Sequence, residues 1–164
     1  MDAYTRFLAQ AIDLTPVGFQ VDSDPLPYFC TPKDAVILGS VGVDGIHFCT
    51  VPGFGEMVFA VSPMNGVPDL VKPVAKDFTD FLRLLLACGD TAAIEQAWMW
   101  SAEQFAAFVA DDPPTAEGRA ALDALAEKLQ LTPMDEPFAY IRELQNGFDP
   151  DTLPYTEEYY DTVG

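Results

Sequence analysis

Between Val36 and Asn65, three short runs of aliphatic, β-branched and aromatic residues leave the chain little choice but to form strands: Val36–Val43, Ile46–Val51 and Met57–Val61. The first two are parted by Asp44-Gly45, a strong hairpin signal. Pro52-Gly53-Phe54-Gly55 parts the second from the third and carries two glycines free to take positive φ. Pro63 closes the third run, because proline cannot donate to a sheet ladder. The spacing predicts an antiparallel meander at the centre of the fold. Gly39 and Gly42, around Ser40-Val41, mark a bulge.

Helical patterns flank this meander. Ala3–Ile12 predicts a short amphipathic helix with Tyr4, Phe7, Leu8 and Ala11 on one side. Thr15–Pro32 is broken by four prolines and is expected to be extended or looped, with Gly18–Val21 a candidate edge strand. Asn65–Lys76 is expected to cross one end of the sheet as a proline-containing connection. Asp77 can cap a helix over Phe78–Cys88 that Gly89 ends, and its apolar set, Phe78, Phe81, Leu82, Leu85 and Leu86, suits a sheet face. Further helices are predicted over Thr91–Trp100, Ser101–Asp111 with a Ser101/Gln104 capping box, Thr115–Leu131 and Asp135–Gln145. The fold class expected is α+β, an antiparallel meander packed against helices with a helical, acidic C-terminal extension; one domain is expected over residues 1–147, followed by an acidic, tyrosine-containing tail over 148–164.

At 164 residues, 49% of them hydrophobic, the chain can bury a sizeable core. Its charge is the anomaly: 26 acids face 8 bases, a formal net charge of −18. Met1–Leu82 carries ten acids and four bases, Arg83–Gly164 sixteen acids and four bases. Such a balance argues against nucleic acid and against an anionic membrane surface, both of which select a positive face. It leaves two readings open, complementarity to a basic protein partner or a charge bias with no partner behind it. No basic, apolar leader opens the chain at Met1–Tyr4, and no run reaches a membrane span of about 18 or more apolar residues. Cys30, Cys49 and Cys88 are odd in number and widely spaced, as buried reduced thiols are. A cytoplasmic location is expected.

The chemical inventory is sparse. His47 is the single histidine, which excludes a multi-histidine metal site, and no metal or other cofactor is expected. His47 and Cys49 lie two apart on a strand and share a side, yet no orienting third group accompanies them, so a hydrogen-bonded, half-buried histidine is expected. There is no Gly-x-Ser-x-Gly elbow and no phosphate loop. Asp149-Pro150-Asp151 opens like a calcium loop but lacks its glycine and terminal glutamate. No catalytic residue is assigned.

Among the aromatics, Trp98, Trp100, Phe105 and Phe108 are spaced for burial between helices. Tyr155, Tyr159 and Tyr160 instead alternate with Glu157 and Glu158 beyond the last of these helices. They either fold back as glue over the core or present a surface to a basic partner. The candidate partner-binding residues are therefore Asp44, Glu56 and Asp69 on the sheet rim and Asp149, Asp151, Tyr155, Glu157, Glu158, Tyr159 and Tyr160 in the tail.

The hairpin Asp44-Gly45-Ile46-His47-Phe48-Cys49, the strand Glu56–Pro63 and the helix Asp77-Phe78-Thr79-Asp80-Phe81-Leu82 together resemble the SMI1/KNR4, or SUKH, superfamily over about Val36–Cys88. Pro27-Tyr28-Phe29 is the nearest counterpart of that family's early proline-aromatic helix, without the Asn-Gly that follows it there. The resemblance implies a sheet backed by helices and no enzymatic activity. It implies a bacterial immunity-type protein that neutralises a toxin, often a nuclease, or an interaction hub like the eukaryotic members. The expected function is thus a non-enzymatic inhibitor of a basic, nuclease-like toxin. Two alternatives remain: a small hydrolase or ligand-binding domain using Asp44, Glu56 and Asp69, and a scaffold protein with a homodimeric interface.

Overall fold

The computed structural model describes residues 2–163. Its centre is a four-stranded antiparallel meander of β1 (Val36–Ser40), β2 (His47–Thr50), β3 (Val58–Val61) and β4 (Val71–Ala75), in that spatial order. Helix α1 (Ala3–Ala9) precedes it, and α2 (Phe78–Cys88), α3 (Thr91–Gln96), α4 (Ala102–Asp111), α5 (Ala116–Leu129), α6 (Pro137–Asn146) and α7 (Glu157–Val163) follow. The fold is α+β.

Strand β4 corrects the expectation of a plain connection over Asn65–Lys76. Pro73, in its middle, pairs with Phe59, and its carbonyl accepts from Gln145 Nε2 of α6 at 3.1 Å. In an antiparallel strand a residue's N–H and C=O point the same way, so the missing N–H of Pro73 faces outward and no ladder bond is lost. Tyr140 Oη, also on α6, accepts from Lys76 N at 2.8 Å, so α6 caps the outer edge of β4 twice. At the other edge, Gln20 and Ser40 exchange two backbone hydrogen bonds of 2.8 Å, and Tyr4 Oη donates to Leu38 O. Gly18–Val21 is thus a single bridge and not a strand. The expected bulge is present, with register slipping between Ile37 and Gly39.

Both faces of the sheet are covered, which is why every residue of β3 is buried. On one face Leu38, Phe48, Val58 and Ala60 meet Phe78, Phe81, Leu82 and Leu85 of α2, with Phe7 and Phe19 completing an aromatic cluster. Phe48 and Phe81 lie 4.9 Å apart in tilted contact. Asp77 and Gly89 cap α2 as expected, Asp77 accepting from Asp80 N at 2.8 Å and Gly89 turning out at φ 80°. The Ser101/Gln104 capping box of α4 is closed by both of its hydrogen bonds. Three helices are shorter than expected, α5 among them, ending at Leu129. The first ends at Ala9, leaving Leu8 and Ala11 exposed, and α3 gives way at Ala97–Met99 to a 3₁₀ turn.

The second face, carrying Ile37, Cys49, Phe59, Val61 and Val71, is covered by the proline-rich segment around Phe29 and Cys30 together with the chain after α6. Leu153 is buried there, Phe148, Tyr155 and Tyr159 pack around it, and Lys33 N donates to Pro154 O at 2.8 Å. The tyrosines thus act as glue over the core. Among the described residues, no helix is long and apolar enough to cross a membrane.

Candidate functional site

In a meander the turns alternate between the two ends of the sheet. The β1–β2 hairpin and the β3–β4 loop therefore share one end, and the β2–β3 turn lies at the other. This separates the three rim carboxylates: Asp44 and Asp69 sit at the first end, Glu56 at the second. Glu56 lines a separate hollow with Asp2, Arg6 and Asp77. A single site built from Asp44, Glu56 and Asp69 is thereby corrected. Asp69 is moreover spoken for, at 2.8 Å from Lys72 Nζ, which also lies 5.1 Å from the Trp98 ring centroid.

Asp44 belongs to a cleft of about 600 Å³ between the segment Gln20–Tyr28 and the β1–β2 hairpin. The hairpin is closed by two consecutive residues of positive φ, Asp44 at 57° and Gly45 at 70°, with Ile46 N donating to Val43 O at 3.2 Å. Gly45 has to be glycine, since a Cβ there would come within 2.8 Å of the Tyr28 ring. Pro25, Leu26, Pro27, Tyr28, Val43 and Ile46 give the cleft apolar walls. Leu26 and Val43 are 73% and 61% exposed, high values for large apolar side chains on adjoining loops.

Three carboxylates, Asp22, Asp24 and Asp44, line the same cleft and no lysine or arginine does. Asp22 is fixed in place, Oδ1 accepting from Gln20 Nε2 and Oδ2 from Ser40 Oγ, both at 3.1 Å. Asp24 and Asp44 form no ion pair among the described residues.

His47 forms the floor and is 2% exposed. Its Nδ1–H donates to Gly45 O at 2.8 Å, so in the neutral ring Nε2 is an acceptor, 3.0 Å from Thr31 Oγ1. That hydroxyl in turn accepts from Tyr28 N at 2.8 Å. Burial, opposed by the Gly45 hydrogen bond, lowers the histidine pKa below its ordinary value. Both ring nitrogens are thus committed, Nδ1 to a backbone carbonyl and Nε2 to the Thr31 hydroxyl, and neither is left for Cys49. Burial also pushes the Cys49 thiol up to about 12. The Tyr28 ring stacks on His47 with centroids 5.6 Å apart, so the histidine fixes both sides of the cleft, loop and hairpin.

The tail candidates scatter. Asp149 caps the 3₁₀ turn Pro150–Thr152 by accepting from Asp151 N at 3.0 Å, and Asp151 is exposed. Tyr155 and Tyr159 stack on each other at 3.8 Å against the second sheet face, whereas Glu157, Glu158 and Tyr160 face solvent on α7. Among the described residues no group of three or more His, Cys, Asp or Glu side chains is arranged to hold a metal ion.

Of the cleft residues only Asp44 is a sequence candidate. Asp22, Asp24, Leu26, Tyr28 and Val43 escape notice because they lie in a proline-broken loop and at a hairpin tip. The available signal is apolar residues alternating with aspartates where no strand or helix can bury them. No protein family, curated protein or solved structure matches this chain.

Proposed function

We propose that this chain is a non-enzymatic protein-binding domain, an immunity-type inhibitor whose partner is a basic, nuclease-like toxin. The observation that carries this reading is the cleft at the hairpin end, with exposed apolar walls and three carboxylates without a counter-charge. Apolar surface ringed by charge of one sign suits a protein surface of the opposite sign. The net charge of −18 raises the encounter rate with such a partner and repels nucleic acid from it. The resemblance of Val36–Cys88 to the SMI1/KNR4 superfamily points the same way.

The chain immobilised on a resin and offered lysate at low and at high salt tests this. A basic protein is expected to be retained at low salt and released as charge is screened. Its toxic or nuclease activity is expected to be blocked by an equimolar amount of the chain. Retention of no basic partner at low salt would remove the basis for the inhibitor.

A further inference from the structure

Resting on the binding function proposed above, we infer that the cleft between Gln20–Tyr28 and the β1–β2 hairpin is a socket for an arginine side chain presented by the partner. Its chemistry is that of a guanidinium site. Pro25, Leu26, Pro27 and Val43 offer apolar walls to the aliphatic stem, as long charged side chains require when they leave water. The Tyr28 ring lies against His47 on one side, and the residue remains 48% exposed where it lines the cleft, which leaves aromatic surface for a planar cation.

Asp22 is already oriented by Gln20 and Ser40, so it needs no reordering to accept a charge-assisted pair. Asp24 and Asp44 add negative charge on the loop and hairpin walls, and among the described residues no lysine or arginine pairs with any of the three. Lysine is the poorer fit. Its compact ammonium holds its water more tightly and cannot stack on Tyr28 while pairing bidentately with a carboxylate. The volume of about 600 Å³ also accommodates the backbone on either side of the side chain, so the occupant is a protruding loop of the partner and not a free amino acid.

Titration of the isotopically labelled full chain with the peptides acetyl-Gly-Arg-Gly-amide, its lysine counterpart and its neutral citrulline isostere, read by amide chemical shifts, tests the assignment. Saturable shifts are expected over Gln20–Tyr28 and Ser40–His47, with the arginine peptide about tenfold tighter than the citrulline one. Asp24→Asn combined with Asp44→Asn is expected to weaken them about tenfold while Asp22 remains, and Glu157→Gln with Glu158→Gln to leave them unchanged. Both cleft carboxylates are exposed and make no hydrogen bond among the described residues, so the double variant keeps its fold, which its melting temperature verifies. Equal binding of the citrulline or lysine peptide, absence of saturable shifts, or shifts centred on the tail overturns the socket. If the double variant still retains a basic partner as tightly as the parent, the socket falls while the binding function stands. If the arginine peptide binds in the cleft but no basic partner is retained, the converse holds.

Discussion

The ring of Phe19 occupies the space into which a side chain on Gly39 would grow: a Cβ at that position would lie 2.5 Å from the Phe19 Cζ. The bulge in β1 places Gly39 opposite Phe48, and Phe19 itself packs on Phe48, Phe78 and Phe81. The ring is therefore pinned from behind and cannot retreat. Gly39→Ala is expected to destabilise the fold by about 2–3 kcal/mol through overpacking. Trimming the obstruction in the double variant Gly39→Ala/Phe19→Leu should recover part of that loss. Thermal denaturation of the four proteins of this cycle measures both terms, and additive losses would show that the two residues do not compete for one space.

Tyr140 joins α6 to the sheet edge through a hydroxyl that donates to Asp80 Oδ2 at 2.6 Å and accepts from Lys76 N at 2.8 Å. Burial, followed by the hydrogen bond to Asp80, raises its pKa above the ordinary tyrosine value, so the hydroxyl keeps its proton across the working range. Tyr140→Phe removes both bonds with little change of shape and is expected to cost about 1 kcal/mol, since Lys76 N can recruit water in its place. Hydrogen exchange offers a sharper readout: the Lys76 amide should exchange markedly faster in the variant while amides in β2 keep their protection. Unchanged exchange at Lys76 would mean that the hydroxyl does not guard this edge.

How much of this was legible in the sequence depends on where each residue's partners lie. The Asp77 and Gly89 caps and the Ser101/Gln104 box are local, with signal and consequence within four residues of each other, and the runs of the meander are parted by short turns whose residues announce them. Strand β4 was hidden because Val71-Lys72-Pro73-Val74-Ala75 carries a proline, and whether a proline breaks a strand depends on which edge it faces, which only α6 decides. The role of the tyrosine tail was hidden in the same way. The continuous burial of Val58-Phe59-Ala60-Val61 shows that something covers both faces of the sheet, but nothing local says that Leu153 and Tyr155 do so. The cleft is assembled from a loop and a hairpin tip more than a dozen residues apart, so Asp44 could be seen as exposed while its companions Asp22 and Asp24 could not.

Glu95 on α3 is partly buried, and burial, with a contribution from the nearby charge of Asp44, raises its pKa to about 7. A carboxyl whose folded pKa is raised destabilises the fold above that pKa, where it must be charged, and the penalty fades as pH falls from about 7 towards the unfolded value of about 4.5. Glu95→Gln is therefore expected to stabilise the chain by about 1–2 kcal/mol at pH 8, allowing for partial solvent screening, and to be neutral near pH 4.5. His47 acts in the opposite sense. Its lowered pKa means that the unfolded state takes up a proton first, and stability declines as pH falls below about 6.5. Chemical denaturation of parent and Glu95→Gln across this range separates the two, because the His47 contribution cancels in the difference. A difference that does not vary with pH would sink the assignment to Glu95.

Ending the chain at Gly147 removes Phe148, Leu153, Tyr155 and Tyr159 from the second sheet face and uncovers the side of the sheet that holds Cys30 and Cys49. In the full chain burial pushes the thiols of Cys30, Cys49 and Cys88 up to about 11, 12 and 12, so none of them should react with a thiol reagent at pH 8 on the timescale of mixing. Losing one buried leucine and three packed aromatic rings is expected to cost about 3–5 kcal/mol or more, enough to lower the melting temperature by roughly 10 °C in a chain of this size. The truncated protein should bind a hydrophobic dye and release Cys30 and Cys49 to the reagent, while Cys88, on the opposite side of the sheet, stays protected until global unfolding. Leu153→Ala in the full chain should show a smaller shift in the same direction, which separates loss of this packing from any general effect of shortening. A truncated chain with an unchanged melting point and three silent thiols would mean that residues 1–147 hold the sheet without help, and that the tyrosine stack is free to serve a partner.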